Sequence, residues 1–134
     1  MTALPDRVRS ALMAIADPAR APAMQAYMKS AMPYLGVSAV PLQAACKAVF
    51  ADLSYAASAD WQADVLRLWR GAAFREERYV AIALTGIRAA RPFQRIDALI
   101  LYEEMIVSGA WWDYVDNIAG QRLLLLLQNE PTPM

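Results

Sequence analysis

The chain has 134 residues, 58% hydrophobic and 19% charged, and its thirteen basic side chains balance thirteen acidic ones. That length suits one domain, and no apolar run approaches the roughly 20 residues of a membrane-spanning helix. Histidine is absent and Cys46 is the single cysteine, which excludes Ser–His and Cys–His nucleophilic pairs, histidine metal sites, thiolate clusters and an intrachain disulfide. Any catalysis must rest on carboxylates, arginines, hydroxyls or aromatics, so neither a cofactor nor a metal is expected. Asp6, Arg7 and Arg9 interrupt the start before a signal-peptide core can form. The expected location is therefore cytoplasmic, without a membrane partner.

Alanine, leucine, methionine and arginine dominate, which favours helix. Leu4, Val8, Leu12 and Ile15 repeat at three- and four-residue intervals and predict a first helix. Asp17-Pro18 reads as a cap followed by a first-turn proline. A second, short helix carries Met24, Tyr27 and Met28, and Pro33 and Gly36 break the chain after it. A third runs through Leu42, Cys46, Val49, Phe50 and Leu53. Ser58 reads as the cap of a fourth, through Trp61, Val65, Leu68 and Trp69, closed near Gly71. The next is expected from about Phe74 to Ala90, with Pro92 beyond it. Another carries Ile96, Leu99, Ile100 and Ile106 and ends near Gly109, and the last starts near Trp111 and runs into Leu123–Leu127.

No stretch alternates like a strand, so the expected fold is all-α. Helix pairs begin near residues 58 and 94, an offset close to the roughly 40-residue period of HEAT-type repeats, in which antiparallel helix pairs stack into an α–α superhelix. The sequence is thus read as a single helical-repeat domain over residues 1–134. Leu123–Leu127 covers every side of its helix, which then needs partners on more than one face. Either the chain forms a homodimer through this end, or further repeats belong after it.

Charge is unevenly placed. Residues 67–95 contain Arg67, Arg70, Arg75, Arg78, Arg88, Arg91 and Arg95 against Glu76 and Glu77, a net +5, and residues 97–134 contain six acids against Arg122, a net −5. The basic block is either a solvated helix face or a contact surface for a nucleic-acid backbone. In "AWWDYVDNIAG" (110–120), Trp112 and Asp116 are four residues apart and share a helix face. Trp111 points about 100° away and is read as core, and Asp113 as a first-turn or capping carboxylate. Capping does not account for Asp116. A carboxylate beside an indole face suits cleavage of an N-glycosidic bond, because the sugar acquires oxocarbenium character that the carboxylate stabilises and the aromatic face favours; taken alone, such a pair is more often structural, with Trp112 packed in the core.

That segment resembles the WWDxVD element of the DNA alkylation repair family, the HEAT-like-repeat alkylpurine DNA glycosylases. "MQAYMKSAMPYLGV" (24–37), "LWRGAAFREERYVAIAL" (68–84) and "LYEEMIVSGAWWDYVD" (101–116) are similar to further stretches of the family in the same order. The resemblance implies tandem helical repeats with a concave, basic surface for double-stranded DNA, and excision of cationic N3- and N7-alkylated purines without drawing the base into a deep pocket. It matches Asp116 to the catalytic aspartate, Trp112 to the tryptophan that packs on the lesion's deoxyribose, and Tyr27 to a tyrosine bordering the DNA. Tyr27 read on its own could equally cover a core edge. Family members continue past this length with a second lesion-facing tryptophan and a phosphate-gripping arginine. Residues 117–134 do not supply both, and Arg122 falls too early. The chain is therefore expected to correspond to the N-terminal part of a glycosylase, inactive or weak alone. The alternative is a non-enzymatic HEAT-like scaffold binding DNA or a protein partner.

Overall fold

The computed structural model describes residues 3–28, 30, 32–95 and 98–109. These form α1 (Leu4–Ala14), α2 (Ala21–Met28), α3 (Ala39–Phe50), α4 (Ser58–Arg70), α5 (Arg75–Thr85), a 3-10 helix (Arg88–Phe93) and α6 (Leu99–Gly109), with no strand among the described residues. The protein is all-α, as its composition and periodicity predict.

The hairpin of α4 and α5 is the centre of the packing. On α4, Trp61, Val65, Leu68 and Trp69 form one buried stripe, the face of an amphipathic helix. Asp60 lies in its first turn and Arg67 and Arg70 in its last, each at the end of the helix dipole that favours its charge. Residues 71–74 then reverse the chain, and α5 returns antiparallel: the Trp61 Nε1–H, near the start of α4, donates to the Leu84 carbonyl near the end of α5 at 3.2 Å. Val80, Ala81, Ile82 and Leu84 close the core from the α5 side, and α1 adds Leu4, Val8 and Leu12.

Several boundaries differ from the sequence reading, among them the end of α3, which stops at Phe50, short of Leu53, and the end of α1 at Ala14, short of Ile15. The helix expected to reach Ala90 stops at Thr85. Gly86 takes the cap position, Ile87 is extended, and the chain resumes as a 3-10 helix containing Pro92. Proline lacks the N–H that a continuing α-helix needs, and a short 3-10 segment tolerates that loss. Ser58 is not the cap of α4. Ala57 holds that position without a side-chain cap bond, and the Ser58 hydroxyl accepts from Gln62 Nε2 at 2.9 Å. Asp17 caps a turn rather than α2 itself: its Oδ1 accepts the Ala19 N–H at 3.1 Å, and its carbonyl accepts from Arg20 and Ala21.

That turn is locked to Gly36. The Asp17 N–H donates to the Leu35 carbonyl at 3.0 Å. Gly36 has φ of +88°, and a Cβ there would lie 2.0 Å from the Asp17 carbonyl oxygen. Both the left-handed backbone and the contact require glycine. Gly36→Ala should lower unfolding free energy by about 2–3 kcal/mol, read as a lower denaturant midpoint. An unchanged midpoint would show that the turn moves freely.

Candidate functional site

The first turn of α5, Arg75-Glu76-Glu77-Arg78, is four consecutive charged residues within the basic block. The structure turns it inward. Glu77 is buried, and its Oε1 accepts the N–H groups of Ala73 and Phe74 at 2.9 and 3.0 Å, satisfying orphan donors at its own helix start. Arg9 of α1 reaches the same carboxylate through Nε and Nη2 at 3.0 and 3.1 Å. Glu76 is fully buried and faces the other way. It gathers the N–H groups of Leu35, Gly36 and Val37 at 2.8, 2.9 and 3.0 Å. Arg75, also fully buried, donates through Nη1 to Ser30 Oγ at 3.2 Å, and its backbone N–H donates to the Pro33 carbonyl at 2.9 Å. The segment joining α2 to α3 is thereby fastened to the start of α5.

This fastening shapes a groove of about 880 Å³, within the range of small-ligand pockets. Met24, Tyr27 and Met28 line it from α2, Leu42, Gln43 and Cys46 from α3, and Tyr79 and Ala83 from α5. Tyr34 and Val37 come from the fastened segment. The Tyr34 and Tyr79 hydroxyls meet at 3.1 Å, and the Arg75 guanidinium lies 5.7 Å from the Tyr79 ring centroid, a cation–π arrangement. Burial pushes the Cys46 thiol up to about 11, so it stays protonated at neutral pH and is no nucleophile there.

Tyr27 is 86% exposed at this groove. Among the described residues its side chain projects from α2 into solvent. Trp112 and Asp116 lie outside the described residues, as do Trp111, Asp113 and the Leu123–Leu127 surface proposed for dimerisation.

The arginine block divides into distinct groups. Arg67 pairs with Asp64 at 3.0 Å and Arg70 with Glu104 at 2.5 Å. That pairing holds the Glu104 carboxyl below its ordinary range, chiefly through the Arg70 hydrogen bond. Arg75 is buried, and the Arg78 guanidinium stacks 4.3 Å from the ring centroid of buried Trp69. Arg88, Arg91 and Arg95 are exposed on and just after the 3-10 helix. The seven arginines are thus neither one solvated face nor one continuous basic surface. Glu77 stands three residues after Phe74, where a glutamate can reach back to the N-cap N–H, but Phe74 lacks the side-chain acceptor that would mark a capping box in the sequence. Nothing comparable marks Glu76, whose partners are some forty residues away.

The family profile described as DNA alkylation repair enzyme matches residues 8–133. The chain belongs to this family. No curated protein matches it. Membership of the DNA alkylation repair enzyme family gives the protein a role in DNA repair, with DNA as the substrate on which the repair acts. The matched span contains the fastened segment, the groove-lining helices and the Trp112–Asp116 stretch. No helix among the described residues is long and apolar enough to cross a membrane.

Proposed function

We propose that this DNA alkylation repair protein is a glycosylase that excises cationic N3- and N7-alkylated purines from duplex DNA. The observation that carries the reading is the family match across residues 8–133, which includes "WWDYVD" at 111–116. Helical-repeat stacking into a superhelix, with residues 1–134 as one such domain, belongs to the same proposal.

Alkylation at N3 or N7 makes the purine a cation, so it departs as a neutral base when the glycosidic electron pair moves to it. The deoxyribose is left with oxocarbenium character. The Asp116 carboxylate stabilises that charge and orients the water that attacks C1′, whose proton is then lost to the carboxylate or to solvent. Trp112 packs its indole against the sugar and favours the same cationic state. Tyr27 borders the DNA from α2, a role its exposure supports.

Cation dependence tests the reading. The protein at its full natural length should release 7-methylguanine and 3-methyladenine from duplexes while leaving the neutral lesion hypoxanthine in place. Binding to duplex DNA without release of any base would instead favour a DNA-binding scaffold, and the absence of DNA binding a scaffold for a protein partner. Tyr27→Ala separates a surface role from a packing one. Because the side chain is exposed, stability should change by no more than about 0.5 kcal/mol. Base release at subsaturating DNA should fall several-fold. Normal release with lowered thermal stability would reverse the assignment.

A further inference from the structure

The 3-10 helix Arg88–Phe93 has two unlike sides. Its underside is anchored. Ala90 is fully buried, and the Phe93 ring stacks on Trp61 with centroids 5.9 Å apart. Buried Gln94 donates to the Thr85 carbonyl and accepts from the Tyr102 hydroxyl. Pro92 fixes one backbone torsion within the same turn. The other side carries Arg88 and Arg91, and Arg95 follows, all three exposed. Residues 88–95 contain no acidic side chain.

A 3-10 helix has three residues per turn and rises about 2 Å per residue, so Arg88 and Arg91 are eclipsed roughly 6 Å apart along one edge. That step is comparable with the separation of neighbouring phosphates on one DNA strand. The guanidinium fork matches phosphate geometry. A rigid, anchored base also lowers the entropy cost of holding several long side chains against a ligand. The other four arginines of residues 67–95 are engaged differently: two pair with acids, one is buried and one stacks on an indole. Arg91 and Arg95 also make contacts within the chain. Each guanidinium has five N–H donors, so such a contact is compatible with binding phosphate.

We propose that Arg88, Arg91 and Arg95 form a contact strip for the phosphate backbone of duplex DNA. The choice of polyanion rests on the family's DNA substrate, and the strip itself does not depend on glycosylase chemistry. It positions the duplex and reads no base.

The test is the full-length protein carrying Arg88→Gln, Arg91→Gln and Arg95→Gln together, titrated against an undamaged fluorescent duplex over a range of salt. Each lost phosphate contact should reduce the slope of log affinity against log salt by about 0.9. The triple variant should therefore be shallower by about 2 to 3 and bind roughly 10- to 100-fold more weakly near 100 mM salt. Circular dichroism should show an unchanged melt. Should the triple variant melt early, Arg88→Gln alone should still lower the slope by about one. Folded variants with the wild-type slope and affinity would overturn the strip, as would a wild-type protein with no affinity for duplex DNA. Base release measured in parallel separates the two claims. A strip-dependent slope without release leaves the strip standing and removes the glycosylase reading. Release with an unaltered slope removes the strip alone.

Discussion

Asp116→Asn should slow release of 7-methylguanine from duplex DNA by about 10²- to 10³-fold at saturating DNA, the scale on which removing a preorganised electrostatic group acts. Duplex affinity should stay within about two-fold, because the charge is needed when the sugar becomes cationic and not in the ground state. Asparagine keeps the shape and one acceptor oxygen of aspartate and removes the negative charge, so the comparison isolates charge stabilisation. Single-turnover kinetics on a duplex with one 7-methylguanine measure it. An unchanged rate would remove Asp116 from the chemistry. A large loss of affinity with an unchanged rate would make it a binding residue instead.

Glu76→Ala should lower unfolding free energy by about 3–5 kcal/mol, measured from denaturant midpoints. The carboxylate is fully buried and accepts three backbone N–H groups from Leu35, Gly36 and Val37. Alanine leaves those donors in a buried place without their acceptor and opens a cavity where the side chain was. Glu76→Gln keeps the volume and one acceptor oxygen but introduces an amide NH₂ among N–H donors, so its loss should be smaller. The effect should reach the groove, because the same segment carries Tyr34 and Val37. A Glu76→Ala protein as stable as the parent would show that the segment is held elsewhere, for which Arg75 and its bond to Ser30 are the alternative.

These carboxylates mark where sequence reasoning stopped. The helices were legible because their apolar residues recur at helical intervals: Trp61, Val65, Leu68 and Trp69 announce a buried stripe, and the structure buries all four. Charge was less legible. Burying a charge is costly, so neither reading of the basic block, as a solvated face or as a nucleic-acid contact surface, places Glu76 and Glu77 inside. That rule is offset here by partners the local sequence does not contain: Arg9 for Glu77, and the backbone of residues 35–37 for Glu76. The break after Thr85 was missed for a related reason. Gly86 and Pro92 were visible, but the 3-10 turn that contains Pro92 is anchored by Phe93 on Trp61 and by Gln94 on the Thr85 carbonyl, contacts the local sequence does not announce.

Of the site residues, Tyr27 was identified through resemblance, and it is exposed on α2 beside the groove. The groove beside it was not anticipated, because its walls come from α2, α3 and α5, brought together by tertiary contacts. Trp112 and Asp116 lie outside the described residues, and their roles stand as proposals on the motif and the family match.

The central claim is that repair proceeds by breaking the N-glycosidic bond. Product balance on a duplex with a single 7-methylguanine tests it most directly. The full-length protein should yield free 7-methylguanine and abasic sites in equal amounts, with the rest of the strand intact. Recovery of unmodified guanine within intact DNA, or DNA binding with neither product, would contradict it.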